Sequence, residues 1–124
     1  MAYNATGAAQ YADAQAHAHS TGNCARYVRL AIARGGISLT PTHHAKDLGR
    51  SLAAAGFQSV AGSAYRIGDV AVIQPIPGHA DGHAAIFDGV KWVSDFKQRP
   101  GPNGFYPGPE YRHLKPSYTI YRHN

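Results

Sequence analysis

Two residues in this sequence have types and surroundings suited to nucleophilic catalysis: the single cysteine, Cys24, and one of eight histidines, His83. Cys24 opens a run in which Tyr27, Val28, Leu30, Ala31 and Ile32 recur at helical spacing, and Asn23 or Thr21 can cap that run. A thiol in the first turn of a helix lies among unpaired backbone N–H groups and near the positive end of the dipole, which favour thiolate. Its own N–H can also face the oxyanion formed when sulfur attacks a carbonyl. These features predict alkylation with an apparent pKa below the ordinary ~8.5. His83 begins Gly82-His83-Ala84-Ala85-Ile86-Phe87, which reads as a central strand. An imidazole there needs a polar partner, and contact with the helix tip would make it the general base for Cys24.

A third group follows from turn chemistry. Asp88-Gly89 reads as a tight turn joining Ala84–Phe87 to Lys91–Phe96, with Phe87 facing Val90 across a two-residue loop. That register sets His83 opposite Ser94 or Asp95, so that Asp95 can accept from the imidazole and fix its tautomer. The bland alternatives are a buried structural cysteine or a stray surface thiol, and a carboxylate that is solvated or paired with Lys97 or Arg99.

The elements that must hold these groups read as helices followed by strands. Ala5 to His19 is an Ala-rich helix, Cys24 to Arg34 a second that ends at Gly35-Gly36, and Pro41 or Thr42 to Ala55 a third. Short strands follow at Phe57–Val60, Asp69–Gln74, Ala84–Phe87, Lys91–Phe96 and Tyr118–Tyr121. Gly68-Asp69, Pro77-Gly78 and the Pro/Gly-rich stretch from Arg99 to Pro109 separate them. Helices first and an antiparallel sheet second make a single α+β domain over residues 1–124.

A lone cysteine excludes an internal disulfide framework. Twelve Lys and Arg against seven Asp and Glu give a formal charge of +5, which suits an anionic wall or membrane-proximal setting. The basic residues are scattered, with no run resembling a nucleic-acid arm, so nucleic acid is not the expected partner. No stretch approaches the ~18 apolar residues of a membrane span, and no signal peptide precedes the first helix. The expectation is synthesis in the cytoplasm, with any later site of action reached by another route.

The ordered set Ser20-Thr21-Gly22-Asn23-Cys24-Ala25-Arg26-Tyr27-Val28-Arg29, then Gly68-Asp69-Val70-Ala71-Val72, then Gly82-His83-Ala84-Ala85-Ile86 resembles the NlpC/P60 and CHAP branch of papain-like cysteine amidases. The resemblance spans about residues 20 to 97. Within that branch the chain is similar to the small peptidoglycan amidase effectors that bacteria deliver into competitors, in its Cys-Ala-Arg-x-Val-Arg helix and in Trp92-Val93-Ser94-Asp95-Phe96. The resemblance implies a papain-like core with N-terminal helices on a small antiparallel sheet. It implies Cys24 as nucleophile, His83 as base and Asp95 as orienting acid, acting on peptidoglycan stem peptides; the absence of a Walker or dinucleotide pattern makes chemistry without a cofactor the expectation. The resemblance further implies a cognate immunity protein, a secretion-machine partner, and action in the periplasm or cell wall of a target cell. The family's third polar residue varies.

Tyr27, one turn after Cys24, Gln74 at a strand end, Asp81 in the loop before His83, and Ser94 are candidate substrate-facing groups. Core packing or loop solubility explains each about as well. His79, Asp81 and His83, with His43-His44 upstream, raise a zinc alternative, but His-Glu-x-x-His is absent. No glycine-rich phosphate cradle surrounds Cys24 and Arg29, which removes a phosphatase reading. A non-catalytic wall- or protein-binding domain on the same scaffold is the main alternative from another class.

Overall fold

Asn4 begins the ordered helices by accepting the Gly7 N–H on its side chain at 2.9 Å, which caps α1 (Ala5–Gln15). The computed structural model describes residues 2–100 and 103–123. Gly101 and Pro102, inside the Pro/Gly-rich stretch anticipated above, lie outside the described residues. The buried face of α1 is Ala8, Ala9 and Ala12, small enough for close packing on α2 (Cys24–Arg34). α1 stops four residues before His19 because the chain is drawn elsewhere: Ala16 is extended and the His17 N–H donates to Asp95 O at 2.8 Å. α2 has the predicted bounds, burying Val28, Ala31 and Ile32.

The predicted third helix forms only in its second half. A 3₁₀ turn (Ala45–Asp47) runs into α3 (Leu48–Ala54), while Thr42 to His44 remain non-helical. The Lys46 N–H donates to Asp81 O at 2.9 Å, so this segment is tied to the loop before His83 rather than wound onto the helix.

Strands β1 (Gln58–Val60), β2 (Val70–Ile73), β3 (His83–Phe87), β4 (Trp92–Val93) and β5 (Tyr118–Arg122) form one antiparallel sheet in the order β1-β5-β2-β3-β4. Side chains alternate between its faces. Val70, Val72, Ala84, Ile86 and Val93 pack under α1, α2 and α3. Ala71, Ile73, Ala85, Trp92 and Ile120 pack under Phe105, Tyr106 and Tyr111. With both faces covered, β2 and β3 are apolar at nearly every position. The fold is the anticipated papain-like α+β arrangement, helices on an antiparallel sheet. Among the described residues no helix is long and apolar enough to cross a membrane.

The Gly68-Asp69 pair is structural. Gly68 has φ +89°, and a Cβ there would lie 2.5 Å from that of Ala5. The buried Asp69 carboxylate takes two bonds from Arg122, at 2.9 and 2.7 Å, and one from the Arg66 N–H, tying β2 to β5.

The β3–β4 hairpin departs from its predicted register. Phe87 pairs with Trp92, not Val90, across a four-residue loop in which Asp88 Oδ1 accepts the N–H groups of Val90 and Lys91. The carboxylate builds its own turn, which lengthens the loop by two residues. β4 is also shorter than Lys91–Phe96. The chain reverses at Ser94-Asp95, and Gln98 N–H returns to Trp92 O at 2.9 Å. A fourth helix, α4 (Pro109–Leu114), lies where the sequence reading assigned no element.

Candidate active site

A cleft of about 570 Å³ opens between the tip of α2, the Gly78–His83 loop and the Pro107–Tyr111 segment. Cys24 and His83 both line it. The backbone N–H groups of Ala84, Cys24 and Ala25 face the Cys24 sulfur and favour its thiolate. Those of Cys24 and Ala25 are free because they open a helix. That of Ala84 is free because β3 turns Ala84 toward the β4 side, where the chain has already reversed at Ser94-Asp95. His83 therefore stands one residue before a group that faces the nucleophile.

Burial decides the resting charge of the thiol. It pushes Cys24 up to about 11, aided by the negative Asp95, against the opposing pull of the three N–H groups. The helix tip acts in the expected direction but is outweighed, so the predicted depressed thiol pKa is not what the folded chain produces. Burial likewise lowers His83 to about 4, against the raising influence of its Gln98 hydrogen bond and of Asp95.

His83 is 6% exposed, and its Nε2 meets Gln98 Oε1 at 2.8 Å. The Gln98 amide nitrogen donates to Gly104 O and Phe105 O at 3.1 and 2.8 Å, which turns the amide oxygen toward the imidazole. An amide oxygen only accepts, so Nε2 carries the proton and Nδ1 is the basic nitrogen. Phe96 and Tyr111 flank the ring, with centroids at 6.3 Å each. A Cβ at Gly82, which has φ +73°, would sit 2.4 Å from Ile73 O, so glycine is needed to bring His83 into register on β2.

Asp95 is fully buried beside the pair, but its hydrogen bonds run to the loop that delivers Cys24. Oδ2 accepts from Thr21 N at 2.5 Å, Thr21 Oγ1 at 2.8 Å and Asn23 N at 3.3 Å, while Ser94 Oγ donates to Oδ1 at 3.2 Å. Burial pushes its pKa up, yet the Thr21 and Asn23 donors prevail and hold it below the ordinary carboxylate range. This charge contributes stability above pH ~3.8, which is lost as pH falls through its lower folded value. Asp95→Asn should cost about 2 kcal/mol in urea unfolding at pH 7, because one amide end cannot accept from these donors. An unchanged midpoint would refute that role.

No protein-family model matches the chain, and no curated protein matches it. Two crystal structures of the type VI effector–immunity complex Tae3–Tai3 from Ralstonia pickettii do. In the native complex the matching chain is 55% identical over 98% of this chain and 100% of its own length, with a TM-score of 0.91. In the selenomethionine complex the values are 56%, 94%, 99% and 0.87. The chain belongs to the Tae3 effector family. That places it among the papain-like amidase effectors that the Cys24 helix and the Gly82-His83 strand resemble.

In this Tae3-family chain the four candidate substrate groups separate. Asp81 lines the cleft and pairs with His44 at 2.5 Å. Tyr27 does not line it: it borders a separate hollow with Tyr11 and Leu30, and its hydroxyl meets His17 Nε2 at 2.9 Å. The contact with His17, in the segment that follows α1, draws the ring away from the cleft. Gln74 sits beyond β2, with its N–H on Ser117 O and its side chain in solvent. Ser94 is 1% exposed beneath the cleft and supports Asp95. The zinc alternative lacks a ligand set, since among the described residues no three His, Cys, Asp or Glu groups converge. Gln98 and Tyr111 were missed. Gln98 lies past a reversal that no Gly or Pro announces. Tyr111 needed α4, whose signature was present in Pro109 at the helix start, Glu110 in the first turn and Arg112-His113 in the last.

Proposed function

We propose that the chain hydrolyses an amide bond in the peptide stem of bacterial peptidoglycan, with Cys24 as nucleophile and His83 as general base. The observation that carries this reading is the shared cleft of Cys24 and a His83 whose Nε2 is committed to Gln98, leaving Nδ1 to take the thiol proton. As Sγ bonds to the carbonyl carbon, Nδ1 accepts that proton and the carbonyl electron pair moves to oxygen beside the Cys24 N–H. Collapse breaks the C–N bond, and His83 returns the proton to the leaving amine. The same nitrogen then activates water, which splits the thioester and frees the carboxylate. Asp95 positions the nucleophile loop, and its charge favours the imidazolium that forms in passing.

Kinship with Tae3 supports delivery through a type VI machine into the periplasm of a target cell, and a cognate immunity protein in the producer. The net charge of +5 suits an anionic wall. Purified wall peptides incubated with the enzyme should yield paired fragments with one new amine and one new carboxyl, read by mass spectrometry. The Cys24→Ala variant should yield none. Binding without turnover, or equal cleavage by both proteins, would overturn the proposal.

A further inference from the structure

Three buried polar side-chain atoms have no hydrogen-bond partner among the described residues: Asp13 Oδ1, Trp92 Nε1 and Tyr111 Oη. Asp13 has the Lys91 ammonium 3.4 Å away. Trp92 is enclosed by Tyr65, Phe87 and Phe105 in the core. Tyr111 differs from both because it lines the catalytic cleft with Cys24 and His83. It is 4% exposed, and an unpaired hydroxyl at that depth costs about 1–3 kcal/mol. Folded chains seldom leave such a group without a partner, and in a cleft water or a bound ligand supplies it.

The ring is held in place. Its centroid lies 5.3 Å from that of His79 and 6.3 Å from that of His83, and its carbonyl accepts Lys115 N–H at 2.8 Å to close α4. We propose that the Tyr111 hydroxyl is a catalytic hydrogen-bond donor to the oxygen of the amide carbonyl that Cys24 attacks. The proposal rests on the reading of Cys24 as an acyl-transfer nucleophile.

The surroundings select that acceptor. Asp81 and Glu110 act on the hydroxyl with negative charge, so a free carboxylate of the substrate would be repelled there. Tyr111 lines the same cleft as Cys24, whose sulfur is the attacking atom. The atom that arrives next to that sulfur is a carbonyl. Burial pushes the phenol up to about 12, so the group keeps its proton and donates across the working range. During attack the Sγ–C bond forms, the thiol proton goes to His83 Nδ1, and the carbonyl π pair moves to oxygen. Tyr111 shares its proton with that oxygen without releasing it, opposite the Cys24 N–H.

Tyr111→Phe tests this, because it removes one oxygen and leaves the packing intact. On stem peptides kcat should fall roughly tenfold or more with little change in KM. A second measurement is independent of turnover. N-acetyl-glycinal should form a hemithioacetal with Cys24, whose oxygen occupies the same place, and the variant should hold it roughly tenfold more weakly or worse. Alkylation by iodoacetamide, which builds no such oxygen, should be unchanged, and the urea midpoint should be equal or higher because an unpaired hydroxyl has gone. Equal aldehyde affinity in the two proteins would overturn the proposal, as would a lowered midpoint with unchanged adduct stability. No adduct with the wild type would overturn both this and the nucleophile reading. A Tyr111-dependent adduct without stem-peptide cleavage would support Tyr111 and sink the choice of substrate.

Discussion

Gln98→Ala should leave the chain folded but lower kcat on wall peptides by roughly 10²- to 10³-fold. The reasoning starts from the imidazole. Gln98 Oε1 is the acceptor that holds the proton on His83 Nε2, and the amide cannot rotate without abandoning Gly104 O and Phe105 O. With the acceptor removed, the Nδ1–H tautomer becomes accessible, and that form cannot take the proton of Cys24. Losing tautomer control costs up to about 10⁴ in a catalytic triad, whereas outer partners of histidine ligands cost about 10–100, so an intermediate loss is expected. Two carbonyls also lose a donor, at about 1 kcal/mol each, which unfolding curves will register separately. Gln98→Glu supplies the control. It keeps an acceptor for Nε2–H, so it should recover part of kcat while moving the acid limb of the profile upward, because a carboxylate favours the imidazolium. Wild-type kcat in Gln98→Ala would sink the role. So would an Asp95→Asn variant that reproduces the kcat loss without losing stability, because Asp95 would then be the group that orients His83.

The difference between Asp95 and Gln98 shows where local sequence stops being informative. The Cys24 helix was legible because it carries an apolar period and a Gly-Gly stop set within a dozen residues, although the expected cap does not form: the Asn23 side chain turns back to Thr21 and the Thr21 hydroxyl to Asp95. The β3 strand was legible because Gly82 marks its start and small apolar residues fill a doubly covered strand. Register across the hairpin was not, because it depends on whether Asp88 or the backbone closes the turn, and a two-residue change passes from Phe87–Val90 to Phe87–Trp92. The reversal at Ser94-Asp95 carries no turn residue with a positive φ requirement. Its cause is tertiary: His17 takes the Asp95 carbonyl and Thr21 takes the carboxylate, both from the region joining α1 to α2. The same contacts end α1 early. Tyr27 illustrates the opposite error, since nearness in sequence to Cys24 placed it by the cleft, whereas its hydroxyl is taken by His17 beyond α1.

Alkylation of Cys24 by iodoacetamide should be slow at neutral pH and should climb without a plateau from pH 7 to 9.5. A thiol at about 11 is ionised in about one molecule in ten thousand at pH 7, against roughly one in thirty for an ordinary cysteine, so the rate should trail a free thiol by on the order of a hundredfold. The sign follows from burial: the half-buried Cys24 loses part of its hydration, Asp95 adds negative charge, and the three N–H groups offset only part of this. The partner is shifted the other way, since a His83 at about 4 is neutral at every pH above 5. The resting pair is then a neutral thiol beside a neutral imidazole, and the proton moves as substrate is attacked rather than beforehand. Both groups hold the required form between these limits, so kcat/KM should be flat from about pH 5 to 9, with its acid limb below the ~6.5 of free histidine. A thiol that alkylates rapidly with a plateau below pH 8 would show a preformed thiolate–imidazolium pair and refute this account. It would mean that the helix tip overcomes burial, and that the substrate meets a nucleophile already charged.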